Sequence, residues 1–148
     1  MGNPRKKAKS RARTSSLRAN ERDAYLFVYG TLKRGETSHR QLVQNQNAHF
    51  VGPAKIRGEL YVLRDHDFPG AVPSSRPDRF VFGQLFRLRT PARTLRALDR
   101  FEESDDGLFC RRLVDVWAEG RKMKAWTYFY ARHLKQADLV PTGVYQSA

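Results

Sequence analysis

Residues 24–35 of the chain are AYLFVYGTLKRG, and this stretch decides how the fold begins. Its first half, Ala24 to Tyr29, is a run of apolar, aromatic and β-branched residues, a composition that predicts a short buried β-strand. Gly30 ends the run, and the segment up to Gly35 has the composition of a tight turn. The stretch therefore predicts a buried strand that leads directly into a loop bounded by glycines.

The rest of the chain contains more strand-like than helix-like segments. Strands are predicted at residues 48–51, 55–63, 80–88, 109–117 and 123–130, and helices at residues 37–44 and from Thr90-Pro91 onward. Strands outnumber helices and do not alternate with them regularly. This order predicts an α+β fold whose mixed or antiparallel sheet can curl toward a barrel.

Glycine and proline set the expected boundaries of these elements. Gly52-Pro53 is expected to separate two strands, and the prolines of residues 64–79 predict a loop. Glu119-Gly120 is expected to form a hairpin turn. Gly83 lies inside a predicted strand, which indicates a bulge or a close approach of another backbone.

The positive charge of the chain is concentrated at one end. The chain has 148 residues, enough for one domain, and a formal net charge of +13. Residues 1–22 contain eight basic residues and one acidic residue, a net charge of +7, and they include no aromatic residue. Such a segment cannot bury enough apolar surface to offset its chain entropy. We therefore expect a disordered basic tail at residues 1–22 and a folded domain at residues 23–148.

Composition also limits the partners and the compartment. The basic tail fits a solubilising role, in part the composition of a transit peptide, or weak binding of a polyanion such as nucleic acid through counterion release. A single cysteine, Cys110, excludes an intramolecular disulfide and indicates a reducing, cytoplasmic setting. The longest apolar run has six residues, whereas a membrane-spanning helix needs about 20, so no membrane association is expected.

The loop after the first strand is the first candidate for chemistry. Backbone N–H groups at a junction between a strand and a tight loop can form a cradle for an anion or a polarised carbonyl. Gly30 lets the backbone approach a ligand closely. Gly30 and Gly35 have the spacing of a phosphate-binding loop, but Glu36 occupies the lysine position and would repel a triphosphate. A phosphate-binding loop is therefore not expected, and the segment is either a cradle for another anion or carbonyl or a plain turn between a strand and a loop.

The end of the second predicted helix is the other candidate. Residues 98–107 are LDRFEESDDG, an acidic segment in a basic protein. Because Phe101 is expected to point inward, Glu102 is expected at the boundary between the core and solvent. Partial burial raises the pKa of a carboxyl group and makes it a useful proton acceptor near neutral pH.

Together these segments resemble the γ-glutamylcyclotransferase-like family, which includes AIG2-like proteins and γ-glutamylamine cyclotransferases. Residues 29–35 resemble its YGTLxxG signature, residues 98–102 its LDxxEG segment, residues 109–116 its YxRxxVxV strand and residues 125–130 its aromatic strand. Three shorter segments, at residues 58–61, 68–70 and 81–83, follow in the expected order. The resemblance covers roughly residues 25 to 145.

The resemblance implies a small mixed, barrel-like sheet with flanking short helices and an intramolecular reaction. In that reaction, the α-amine of a γ-glutamyl compound attacks its own γ-carbonyl and releases 5-oxoproline and an amine or amino acid. It implies that Glu102 is the catalytic base and that no metal or cofactor takes part. Substrate-binding residues would be Tyr29, Gly30, Thr31, Leu32 and Tyr128. The oligomeric state and the leaving group stay open.

Two departures and two alternative functions accompany this interpretation. Glu103 replaces the glycine that usually follows the catalytic glutamate and could share the base role, and Phe109 replaces a tyrosine. Arg111 and Arg112 point to opposite faces of their strand, so one of them is a candidate for holding a substrate carboxylate.

The alternative functions are a non-catalytic module that binds a small carboxylate and a polyanion-binding protein that acts through its tail.

Overall fold

The structure is a computed structural model that describes residues 24–29, 48–63, 68–103, 108–134 and 137–145. Its elements are β1 (Tyr25–Val28), β2 (Ala48–Arg57), β3 (Glu59–Leu63), β4 (Phe68–Val72), β5 (Phe80–Leu88), α1 (Pro91–Glu103), β6 (Phe109–Ala118), β7 (Arg121–Tyr130) and β8 (Ala137–Val140). Five strands form a closed barrel in the order β1-β5-β2-β6-β7, and three form a small sheet in the order β4-β3-β8. The predicted α+β fold with a mixed, barrel-like sheet and a flanking helix is confirmed.

The barrel closes through one parallel contact between strands far apart in sequence. β1 pairs with β7 in parallel at Leu26 and Trp126, whereas the pairs β1–β5, β2–β5, β2–β6 and β6–β7 are antiparallel. Since β1 and β7 run in the same direction, their C-terminal ends lie at the same end of the barrel. The residues that follow β1 therefore start at the end of the barrel where β7 finishes.

Alternation along the strands separates two hydrophobic clusters. Phe27 and Tyr29 of the β1 region, with Ile56 and Phe129, belong to the cluster inside the barrel. The neighbouring residues of β1 and β7 face outward and pack with helix α1 in a second cluster, which contains Leu26, Val28, Leu88, Leu95, Leu98 and Tyr128. The period of two along a strand produces this division because successive side chains point to opposite faces. Helix α1 therefore covers one part of the outer barrel surface.

The break predicted at Gly52-Pro53 is wrong. β2 runs without interruption from Ala48 to Arg57, and a register shift between Phe50 and Gly52 absorbs the irregularity. Proline is tolerated at such a bulge because the ladder is already disrupted there. The real break is Gly58, whose N–H donates to the Arg79 carbonyl, and a β-carbon at Gly58 would lie 2.8 Å from the Val72 carbonyl oxygen.

The loop predicted for residues 64–79 is also partly wrong, because Phe68–Val72 forms β4. Pro69 sits in this strand opposite Val62. β4 is the outer strand of the small sheet, where a missing N–H donor removes no ladder hydrogen bond on the open side. β8 was not predicted, and the helix predicted at residues 37–44 lies outside the described residues.

Two glycine predictions are confirmed. Glu119 and Gly120 form the β6–β7 turn with φ values of 51° and 73°, as expected for the two central residues of a type I′ hairpin turn. A β-carbon on Gly83 would collide with the Val28 carbonyl oxygen and lie 2.9 Å from Cζ of Phe27. Strands β1 and β5 can approach each other here only because position 83 has no side chain.

Candidate active site

The candidate site lies at the end of the barrel where β1 and β7 finish. Tyr29 follows β1 directly and is buried, with 5% of its surface exposed. Its hydroxyl donates to the Tyr128 carbonyl oxygen at 2.6 Å and accepts the Ala71 N–H at 3.0 Å. The Tyr29 side chain therefore connects the barrel, through β7, with the small sheet, through β4. These contacts hold the residue immediately before Gly30 in a fixed position.

A polar cluster lies on the other side of β7, beneath the last turns of α1. Arg111 donates from Nε and an Nη to the two carboxylate oxygens of Asp99, at 2.9 Å and 3.0 Å. The Tyr128 hydroxyl donates to Oδ1 of Asp99 at 2.6 Å. The Arg111 guanidinium also stacks over the Trp126 ring, 4.4 Å from its centre. A paired guanidinium fork of this kind fixes orientation as well as adding energy, so we call Asp99, Arg111 and Tyr128 the anchor cluster.

The charge state of Asp99 follows from these contacts. Burial alone would raise the pKa of the Asp99 carboxyl, but the hydrogen bonds from Arg111 and Tyr128 and the charge of Arg111 outweigh burial, and the pKa is lowered. A carboxylate with a lowered pKa is a poor proton acceptor near pH 7. Asp99 is therefore suited to holding the helix in place and not to serving as a base.

Helical periodicity defines where Glu102 lies along α1. Leu95 and Leu98 are buried against the barrel, and position 102 follows them by seven and four residues, which places it on the same helix face. Position 102 also lies one turn after Asp99, in the last turn of α1. Position 102 therefore lies one helical turn beyond the residue that accepts a hydrogen bond from Tyr128, near the C-terminal end of β7.

The predicted site residues divide into two groups. The structure brings Tyr29 and Tyr128 together through one hydrogen bond and includes Glu102 in the backbone of α1. Gly30, Thr31 and Leu32 lie outside the described residues, as does the side chain of Glu102. The site assignments stay predictions.

Sequence reasoning did not anticipate the role of Asp99. The sequence did contain a hint of this role, because Asp99 belongs to the segment that resembles the LDxxEG motif. Its partners, however, lie on other elements, 12 and 29 residues away. Arg111 was considered as a holder of substrate carboxylate, and in the structure its guanidinium is occupied by Asp99, whereas Arg112 is exposed.

Comparison with known proteins places this chain in a class of enzymes. The family model described as gamma-glutamyl cyclotransferase, AIG2-like, matches residues 26–147. The chain therefore belongs to the γ-glutamyl cyclotransferase, AIG2-like family, and it is an enzyme of that type. The expected resemblance is confirmed.

Individual relatives agree with this assignment. The chain is 35% identical to the gamma-glutamylaminecyclotransferase of Bos taurus over 105 residues, which cover 66% of this chain and 58% of that protein. It is also 35% identical to the gamma-glutamylaminecyclotransferase of Homo sapiens over 99 residues, 63% of this chain and 61% of that protein. The crystal structure of an AIG2-like protein from Mus musculus superimposes with a TM-score of 0.64 at 25% identity, covering 84% of this chain and 88% of that one. The chain thus spans about three fifths of the length of the two mammalian relatives.

Two further observations concern the expected surroundings of the protein. In the described part of the chain, no helix has both the length and the apolar character that crossing a bilayer requires. Residues 1–22 lie outside the described residues, so the disordered tail and its binding of polyanions stay predictions.

Proposed function

We propose that the protein cyclises a γ-glutamyl compound to 5-oxoproline and releases the amine or amino acid that was bound to the γ-carboxyl group. Membership of the family over residues 26–147 supports this reaction. The two mammalian relatives are named for γ-glutamyl amines, so γ-glutamyl amines are the first substrates to consider. Expected partners are therefore small molecules of this class.

The reaction requires one proton acceptor and donors for a developing negative charge. The α-ammonium of the substrate must lose a proton before its nitrogen can attack the γ-carbonyl carbon. A carbon–nitrogen bond then forms within the new five-membered ring, the bond to the leaving amine breaks, and the leaving nitrogen takes up a proton. Holding nucleophile and carbonyl in one molecule favours this closure. In our proposal Glu102 accepts the first proton, and backbone N–H groups of Gly30 to Leu32 stabilise the oxyanion.

One chain of contacts carries the proposal. Tyr29, next to Gly30, donates to the carbonyl of Tyr128, and the Tyr128 hydroxyl donates to Asp99, each at 2.6 Å. Asp99 lies one helical turn before Glu102. Two hydrogen bonds and one turn of helix therefore link the residue before the loop to position 102 across β7, and this linkage supports the proposal.

The test compares Glu102→Gln with Glu103→Gln, two neighbouring variants that make the same chemical change. The assay measures 5-oxoproline released from a panel of γ-glutamyl amines and γ-glutamyl amino acids. We expect Glu102→Gln to lose at least about 100-fold in kcat, the usual contribution of a general base, and Glu103→Gln to keep most of its activity. Equal thermal unfolding of the two variants would exclude misfolding as the cause.

Three outcomes would contradict the proposal. Full activity of Glu102→Gln would remove Glu102 from the role of base. Loss of activity in Glu103→Gln alone would transfer that role to Glu103. Substrate binding without turnover across the whole panel would support the alternative of a small-carboxylate binding module.

A further inference from the structure

The outer barrel surface away from α1 carries a regular arrangement of cations and aromatic rings. On β5, β2, β6 and β7, Val81, Ile56, Val116 and Ala125 point into the barrel and are fully buried. Their neighbours along each strand consequently point outward. We call the outward side of these four strands the outer face.

One row of the outer face alternates ring and cation across all four strands. Phe82 of β5 lies opposite Lys55 of β2, Lys55 lies opposite Trp117 of β6, and Trp117 lies opposite Lys122 of β7. Adjacent strands are about 4.8 Å apart, so the two rings of this row are about 10 Å apart. Phe82 is 42% exposed, so a flat group can reach part of its ring.

The neighbouring row adds a ring and a cation. Arg57 lies opposite Phe80, whose ring has the Lys55 ammonium 4.4 Å and the Arg57 guanidinium 5.7 Å from its centre. Phe80 also packs edge-on against Trp117 with ring centres 5.9 Å apart. The Phe80 and Trp117 rings are therefore in contact, and the Lys55 ammonium lies over Phe80 and 6.0 Å from the centre of the Phe82 ring, so the three rings form a platform interleaved with positive charge.

One carboxylate, that of Asp115, also lies on the outer face. Asp115 forms an ion pair with Lys124 at 2.8 Å, and both side chains are well exposed. The hydrogen bond from Lys124, together with the nearby charges of Lys124, Lys122 and Arg57, lowers the pKa of the Asp115 carboxyl. Lys124 adds a fourth cation to Lys55, Arg57 and Lys122 of the two rows. Against the single carboxylate of Asp115 these four cations leave three positive charges on the outer face, in a chain whose net charge is +13.

We propose that the outer face binds single-stranded nucleic acid, with bases stacking on Phe82 and Trp117 and phosphates contacting Lys55, Lys122 and Arg57. Sheet surfaces with interleaved aromatic and basic residues, in open sheets and in small barrels, bind single strands in this way. A double helix hides its base faces from such rings, and an acidic peptide without aromatic residues offers charge but no ring to stack on them. The charge and the rings together therefore favour a single strand over other polyanions.

The contacts already present on the outer face do not oppose this proposal. A cation–π contact at an exposed site is weaker than the stacking of a base on the same ring. The Lys55 ammonium can move from the Phe80 ring to a phosphate while its aliphatic stem stays in place. Binding of a strand therefore exchanges weaker contacts for stronger ones.

The experiment measures the binding of a fluorescent oligouridine of about 12 nucleotides, within the range of known single-strand sites, to the full chain by fluorescence anisotropy. Phe82→Leu is compared with Phe50→Leu, since Phe50 is also exposed, at 57%, but packs on Phe86 nearer to α1. We expect Phe82→Leu to weaken binding about tenfold, the effect of losing one stacked base, and Phe50→Leu to leave binding unchanged.

A second pair of variants tests the charges. Lys55→Gln with Lys122→Gln removes two cations from the outer face, and Arg93→Gln with Arg96→Gln removes two from the exposed side of α1. Each phosphate contact on a single strand contributes about 0.7 to the slope of log K against log salt concentration. We therefore expect the first double variant to lower the slope by about 1.4 and the second to leave it unchanged.

Several results would overturn the proposal. Equal losses in the two double variants would mean that binding follows net charge alone. Unchanged affinity in Phe82→Leu would remove the stacking platform. Equal affinity for a duplex of the same length, or binding of phosphatidylserine vesicles in place of the oligonucleotide, would assign the surface to a different partner.

Discussion

Replacing Tyr128 with phenylalanine tests the anchor cluster at its shortest hydrogen bond. The variant keeps the ring in the cluster between the barrel and α1 and removes only the hydroxyl that donates to Asp99 at 2.6 Å. A hydrogen bond to a charged group contributes about 1.5–3 kcal/mol when it is well buried. The Asp99 side chain is 36% exposed, so water can replace the lost donor in part, and we expect a loss of about 1 kcal/mol at neutral pH.

The loss should depend on pH in a defined direction. The pKa of Asp99 is lower in the folded protein than its ordinary value. A carboxyl of this kind contributes stability that is present above its unfolded pKa, about 3.9, and that is lost as the pH falls through the folded pKa. Removing one of the donors that lowers this pKa reduces the contribution. The difference between wild type and variant should therefore be largest at neutral pH and shrink below about pH 4.

Urea unfolding at several pH values measures this difference. Tyr130→Phe is the matched control, since Tyr130 also lies on β7 and its hydroxyl has no hydrogen bond to any described residue. The reasoning would be refuted if Tyr128→Phe were as stable as the wild type at neutral pH. It would also be refuted if the difference in the free energy of unfolding grew as the pH falls. Kinetics separate the two roles considered for Tyr128: a lower kcat with unchanged KM is expected if the cluster positions the helix end, whereas a higher KM without loss of stability indicates direct substrate contact.

Two further predictions concern stability, measured in both cases by urea unfolding. The Thr94 hydroxyl is buried and has no hydrogen-bond partner among the described residues. Thr94→Val should therefore stabilise the protein by about 1 kcal/mol, whereas Thr94→Ser, which keeps the hydroxyl, should not. A less stable Thr94→Val would show that the hydroxyl has a hydrogen-bond partner. Gly83→Ala should destabilise by about 2–3 kcal/mol, because its β-carbon would meet the Val28 carbonyl and the Phe27 ring. Gly120→Ala, where no atom lies within 4 Å of the added carbon, should cost only the strain of a positive φ, about 1 kcal/mol; equal losses in the two alanine variants would contradict the packing argument.

Much of the fold could be predicted because its signals are local. The apolar run at residues 24–29, the helix start at Thr90-Pro91 and the turn at Glu119-Gly120 each depend on neighbouring residues. β4 was missed because Pro69-Gly70 is a strong turn signal, and only the sheet order, with β4 at an edge, makes proline acceptable there. β2 was divided wrongly because a bulge and a chain break have the same local composition.

The candidate site was harder to predict from the sequence, because its contacts join residues that are far apart in the chain. Glu102 and the loop after Tyr29 were chosen on chemistry and resemblance, which both act within short segments. The pairing of Asp99 with Arg111 and Tyr128 joins a helix to two strands. No spacing rule connects residues on different elements, so the anchor cluster could be recognised only in three dimensions.

The parallel pairing of β1 with β7 also has a consequence for biosynthesis. Leu26 meets its partner only when Trp126 is available, so a ribosome must translate most of the chain before the barrel can close. Until then, the apolar β1 strand emerges without its final neighbour, and contacts between such distant segments form slowly. The barrel therefore closes only after β7 has been synthesised, and until then β5 is the only one of its two barrel neighbours with which β1 can pair.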